Sequence, residues 1–186
     1  PKEYIQNLLL NIVTDNTISG GNTGYYPATH PVPLVALMWA IKTIIPANTQ
    51  FVMYGLNWSL AFIFFFLLSG LWIKNESRTN LFIRIIAGLF YIFSPFLLKT
   101  FYKHQMIVIY LIAAFPGVLY FFIKSVREKN LLYVFTASLI FSILSTNLSS
   151  LPWTIPLLMT SLPILAVEFW KAKKVFILHS LLFAVS

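Results

Sequence analysis

Lys99, Lys103 and His104 fall within one short polar stretch, Lys99-Thr100-Phe101-Tyr102-Lys103-His104, set between two long apolar runs. Two ammonium groups and an imidazole at one bend make a cationic rim for a phosphate, whose oxygens take charge-assisted hydrogen bonds. The same residues also suit plain anchoring, because Lys, Tyr and His rest at a membrane edge with their polar tips in water. Asp15 is the aspartate of the polar N-terminal stretch. Its carboxylate could serve as a general base or a metal ligand, or simply as a turn or helix-cap residue within Asp15-Asn16-Thr17. His30, between Thr29 and Pro31, could meet a substrate hydroxyl or a metal, although a lone histidine without a carboxylate partner is a weak metal signal. Tyr25 and Tyr26 could stack on a substrate ring or anchor at an interface.

The elements that must position these groups are apolar helices. The chain has 186 residues, 59% hydrophobic and 10% charged, with mean hydropathy +0.81. A soluble domain carries about 25% charge, so an integral membrane protein is expected. The net charge of +8 comes from basic residues at the ends of apolar runs, which points to membrane orientation and away from nucleic acid. The absence of cysteine excludes disulfides, thiolate metal sites and cysteine nucleophiles. No P-loop, HExxH, GxSxG or dinucleotide fingerprint is present. The first residues do not read as a secretory signal. The chain starts at Pro1 and stops at Ser186 inside an apolar run, and is expected to be a piece of a longer protein.

Taken in order, Tyr4, Ile5, Leu8, Leu9 and Ile12 recur at helical spacing and predict a short amphipathic helix over 3–13. Residues 14–30 are loop, punctuated by Gly20, Gly21, Gly24 and Pro27. Residues 33–46, bounded by Pro33 and Pro46 and containing Lys42, are short for a crossing and suit an interfacial or re-entrant helix. Spans are predicted at 51–73, 81–98, 105–123, 131–145 and 152–170, and another begins at 175–186. Residues 99–104 form a tight turn, and Pro116-Gly117 kinks the following helix. The expected fold is all-α: a polytopic transmembrane helical bundle of about five spans over 51–186, preceded by a large external loop with interfacial helices over 1–50.

Lysine and arginine counts set the sidedness. Lys74, Arg78 and Arg84, then Lys124, Arg127 and Lys129, then Lys171, Lys173 and Lys174 mark the cytoplasmic face. Residues 1–50 and 99–104 are then external. The other parity, with 33–46 crossing, remains open.

Two pieces of this sequence carry a family likeness. One is the run Arg84-Ile-Ile-Ala87-Gly88-Leu89-Phe-Tyr91-Ile-Phe-Ser94-Pro95, followed by Lys99, His104 and Ala114-Phe115-Pro116. The other is the loop GYYPATHPVPLVALMWAI. Together they resemble the C-type glycosyltransferase superfamily, in particular its arabinofuranosyltransferase-like prokaryotic members. The resemblance implies transfer of a sugar from a polyprenyl-phosphate donor to an acceptor at the external face, with inversion at the sugar carbon. It implies an acidic base in the first external loop, here Asp15, although the family's acid often lies just after the first span, a position that can precede Pro1. Lys99, Lys103 and His104 would contact the lipid phosphate, and His30 and Tyr25 the sugar. Some such enzymes use a divalent metal and others do not, so the cofactor is left open, as are further subunits.

Arg84 is expected to snorkel toward the cytoplasmic end. Asn57 and Asn147 are expected to make interhelical hydrogen bonds; Asn147-Leu148-Ser149 matches a glycosylation sequon but hugs the membrane. His179 receives no role. The second reading is of another class: a non-catalytic polytopic membrane subunit or a transporter segment. The scarcity of charge at span centres argues against an ion-coupled transporter.

Overall fold

The computed structural model describes residues 40–41, 43–44, 49–74, 77–102, 106–144 and 151–185. The chain divides into two units, Pro1–Met53 and Tyr54–Ser186. In the first, Ala40, Ile41, Thr43 and Ile44 are helical, and the Thr43 hydroxyl donates to the Ala40 carbonyl at 2.7 Å. The rest of the predicted interfacial helices and loop, with Asp15, Tyr25 and His30, lies outside the described residues, as do Lys103, His104 and Asn147.

Among the described residues the fold is all-helical, without a strand. The helices are α1 (Thr49–Ser69), α2 (Arg78–Ile92), α3 (Pro95–Tyr102), α4 (Met106–Glu128), α5 (Leu131–Leu144), α6 (Leu151–Lys171) and α7 (Lys173–Val185). Among the described residues no helix is long and apolar enough to cross a membrane.

Two expectations need correction. The predicted span 81–98 is not one helix. A residue before proline is pushed out of the α region by the proline ring, so α2 stops at Ile92 and α3 restarts at Pro95, where the missing N–H costs nothing. The Ser94 hydroxyl accepts from the Leu97 N–H at 3.4 Å, at the start of α3. In consequence Lys99 does not sit in a tight turn: it lies in the last turn of α3, on an exposed position.

The other boundaries follow local chemistry. Ser77 caps α2 in an extended conformation, accepting from the Asn80 N–H at 3.1 Å, the usual service of an N-cap serine. The α4–α5 connection is two residues long. Lys129 takes φ 54°, and the Asn130 N–H reaches back to the Ser125 carbonyl at 3.2 Å, closing a Schellman-type end. The Asn130 side chain then accepts from the Leu132 N–H at 2.9 Å and starts α5.

α4 is the centre of the second unit. Its buried residues face three sides at once. Val118, Phe122 and Val126 pack with Ala137 of α5 and aromatic rings of α7. Leu119 and Ile123 pack with Leu68 of α1 and Ile164 of α6. Ala113 packs with Ala61 of α1 and Ile92 of α2. Glycines let the helices approach: Gly117 lies under the Phe64 ring and Gly88 under the Phe62 ring, each so close that an added methyl would meet ring carbons at under 3 Å. The outward faces are apolar too. On α5 the buried positions include Val134, Ala137 and Ser138, while Leu132, Phe135 and Leu139 are 54–66% exposed.

Candidate functional site

A cavity of about 340 Å³ lies where α1, α2, α3, α4 and α6 converge, within the range of small-molecule sites. Phe65 and Leu68 line it from α1, Tyr91 from α2, Leu97 from α3, Ile112, Phe115, Pro116 and Leu119 from α4, and Leu157, Thr160, Ser161 and Ile164 from α6; Ser94 adds the α2–α3 break.

Pro116 stands in its wall. A proline inside a helix removes the N–H that would serve the carbonyl four residues back, and Pro116 lies inside α4. The carbonyl thus released is that of Ile112, a residue 3% exposed, and a buried carbonyl without a partner is costly. The Tyr91 hydroxyl donates to that same oxygen at 2.7 Å, and the Tyr91 ring stacks on Phe65 at 4.5 Å. The polar side chains of the wall are engaged within the protein: Tyr91 with Ile112, Ser94 with Leu97, the Thr160 hydroxyl with the Leu157 carbonyl at 2.9 Å, and Ser161 as well. What remains for a ligand is a surface of rings and methyl groups, suited to a hydrocarbon chain.

Of the residues singled out for chemistry, Lys99 is the one that falls among the described residues, and it does not line the cavity. It follows Leu97 on α3, where Leu97 is buried and Leu98 and Lys99 are exposed. No three His, Cys, Asp or Glu residues converge on a metal-binding geometry among the described residues, so a divalent ion has no ligand set there.

Several positions of the run that carries the family likeness make contacts between helices. Arg84 does not snorkel outward; it is 7% exposed. Its Nε and Nη2 donate to the Phe66 carbonyl at 3.3 and 3.0 Å, and its guanidinium lies 4.0 Å from the centre of the Phe66 ring. The Phe66 carbonyl also accepts from the Gly70 N–H at 3.3 Å and the Ser69 hydroxyl at 2.9 Å; the end of a helix carries partial negative charge, and Arg84 adds a charged donor there from the neighbouring helix. Gly88 admits Phe62, Tyr91 holds the carbonyl released by Pro116, and Ser94-Pro95 starts α3.

Other charged groups gather where α1, α4 and α6 end. Arg127 donates through Nη1 to the Leu71 carbonyl at 2.7 Å and through Nε to Glu168 at 3.1 Å, with a second bond from Nη2 to the same carboxylate. The Glu168 side chain is 3% exposed, and Lys171 approaches it at 3.9 Å. Lys124 lies over the Tyr133 ring, 4.5 Å from its centre, and pairs with Glu128 at 3.7 Å. Hydrogen bonding to Tyr133, aided by Tyr120 and Glu128, outweighs the cost of burial and holds the Lys124 ammonium above its ordinary pKa.

The contact that sequence reasoning missed is His179 with Ser125. His179 is 2% exposed, and its Nδ1 lies 3.0 Å from the Ser125 hydroxyl oxygen. This is not a nucleophile–base pair. The Ser125 hydroxyl donates to the Phe122 carbonyl at 2.6 Å, so its oxygen accepts from an Nδ1–H, and a fully buried serine meets no substrate. With the partners 54 positions apart in the sequence, no local signal could have found it.

Comparison with known proteins gives no match: no family model, no curated protein and no solved structure is similar to the chain.

Proposed function

We propose that the chain is the membrane-embedded part of a glycosyltransferase that takes its sugar from a polyprenyl-phosphate donor at the external face. The observation that carries this is the ring- and methyl-lined cavity at Pro116, whose chemistry suits the prenyl tail of such a donor. α3 runs on from the cavity wall at Leu97 to Lys99, and the proposed phosphate contacts Lys103 and His104 follow it in the sequence. Asp15 is the proposed base for the acceptor hydroxyl, with His30 and Tyr25 toward the sugar.

The bilayer setting is part of the proposal. α1, α4 and α6 have 21, 23 and 21 residues, or about 32, 35 and 32 Å at 1.5 Å per residue, against about 30 Å of hydrocarbon. Length is all that this comparison supplies: among the described residues no helix is both long and apolar enough to cross a membrane. α1 carries no charge, and the charges of α4 and α6 lie near their C-terminal ends. Apolar outward faces such as Leu132, Phe135 and Leu139 suit a lipid surround.

The test is sugar transfer from a radiolabelled polyprenyl-phosphate donor by the full-length protein in proteoliposomes. Asp15→Asn and Lys103→Ala are expected to abolish or strongly reduce transfer, and Ile164→Trp, which fills the cavity, to raise the donor KM. Unchanged transfer by all three would remove this reading. A second reading, a non-catalytic membrane subunit, is favoured by one observation: Arg84, Arg127 and Glu168 are all engaged in joining helices.

A further inference from the structure

We propose that the end of the bundle where α1, α4 and α6 finish is a docking surface for the headgroups of anionic phospholipids. This rests on the bilayer setting above but not on the enzymatic activity. Arg127 ties the three ends together through Leu71 and Glu168, and Asn80 Nδ2 donates to the Lys74 carbonyl at 2.9 Å, holding the start of α2 beside them. Among the described residues this end carries Lys74, Arg78, Lys124, Arg127, Lys129, Lys171, Lys173 and Lys174 against Glu128 and Glu168. Both carboxylates are already paired, Glu128 with Lys124 and Glu168 with Arg127. The surface therefore presents a net excess of cations.

Two tryptophans stand at the same level. Trp72 is 48% and Trp170 77% exposed, with Arg127 5.4 Å from the centre of the first ring and Lys173 5.0 Å from the second. A partner must meet exposed indole rings and several lysines at once. An anionic lipid surface does both, since tryptophan favours the headgroup level and basic residues favour acidic lipids. A polyanion in water would meet the lysines but leave Trp170 and the exposed Leu178 in solvent.

The test reconstitutes the full chain into liposomes of phosphatidylcholine alone, or with about a third phosphatidylglycerol, then extracts it in mild detergent and counts retained lipids by native mass spectrometry. Phosphatidylglycerol is expected to be retained over phosphatidylcholine. Lys173→Gln and Lys174→Gln are each expected to weaken that preference about fivefold, from the worth of one basic residue near an acidic surface. Equal retention of the two lipids, or displacement of the acidic lipid by an RNA oligomer, overturns the proposal. Alkaline extraction of the same vesicles separates the two ideas: a chain that stays inserted without lipid preference sinks this inference alone, whereas one that is stripped from the vesicles sinks the bilayer setting and the inference with it.

Discussion

Replacing Tyr91 by Phe removes one oxygen atom, and the structure says what that atom does. Its hydroxyl is bonded to the Ile112 carbonyl at 2.7 Å, and Pro116 has taken away that carbonyl's helical donor. Without the hydroxyl, a buried acceptor is left unsatisfied, at a cost of about 1–3 kcal/mol. In the proposed bilayer setting the value would be lower, because hydrogen bonds between helices in membranes average about 0.6 and reach about 1.7 kcal/mol. A value near 1.5 kcal/mol is therefore expected, which for a chain of this size lowers Tm by about 3–6 °C. The informative variant is the double one. In a Pro116→Ala background the restored N–H bonds to Ile112, so Tyr91→Phe should then cost less than about 0.5 kcal/mol, and the cycle should show a coupling of about 1 kcal/mol. The assay is thermal unfolding of the four proteins in one detergent, followed by near-ultraviolet circular dichroism. An equal loss on Tyr91→Phe with and without the proline would refute the reasoning, because the hydroxyl's value would not then depend on the donor that Pro116 lacks.

Two further predictions use the same assay. Glu168→Gln leaves Arg127 facing a neutral amide; breaking a buried pair costs about 3–5 kcal/mol, but Arg127 keeps Leu71 and is 30% exposed, so about 2 kcal/mol, or ~4–8 °C, is expected, and an unchanged Tm would count against the pair. Lys129→Gly relieves a left-handed backbone at φ 54° and should gain about 1 kcal/mol, whereas Lys129→Val should lose stability; a loss on the glycine substitution would show that the lysine side chain matters more than its backbone.

Runs of apolar residues made the helices legible, and α4, α5 and α6 lie close to the predicted spans 105–123, 131–145 and 152–170. The break between α2 and α3 was also written in the chain, as Ser94-Pro95, but a continuous apolar run on either side concealed it. Hydropathy reports burial or lipid, and is blind to the steric rule that turned one predicted span into two helices and moved Lys99 from a turn onto a helix. Arg84 misled for the opposite reason. Near the start of an apolar run the default is an arginine stretched toward water. What turns it inward is the carbonyl and ring of Phe66 near the end of α1, a partner 18 residues away that appears only once the helices are paired. The vacancy at Ile112 could have been deduced from Pro116 alone. Its occupant, Tyr91, could not, because the partner depends on which helix lies opposite.

This bears on how the family likeness should be weighed. Arg84, Gly88, Tyr91, Ser94, Pro95 and Pro116 fit together as one joint: a guanidinium on a helix end, a ring seated on a glycine, and a hydroxyl on the carbonyl that a proline released. A joint of that kind can recur wherever three helices meet in this way, with or without an enzyme built on them. These contacts join helices, and the likeness itself stays a proposal. The chemistry of the proposed transfer must come from Asp15, His30 and Tyr25, and from Lys103 and His104 beyond the end of α3. Substitutions in the joint should accordingly change stability and transfer together, while Asp15→Asn should change transfer at constant Tm. A joint variant that kept its stability and lost transfer would place reacting groups inside the scaffold and reverse that division.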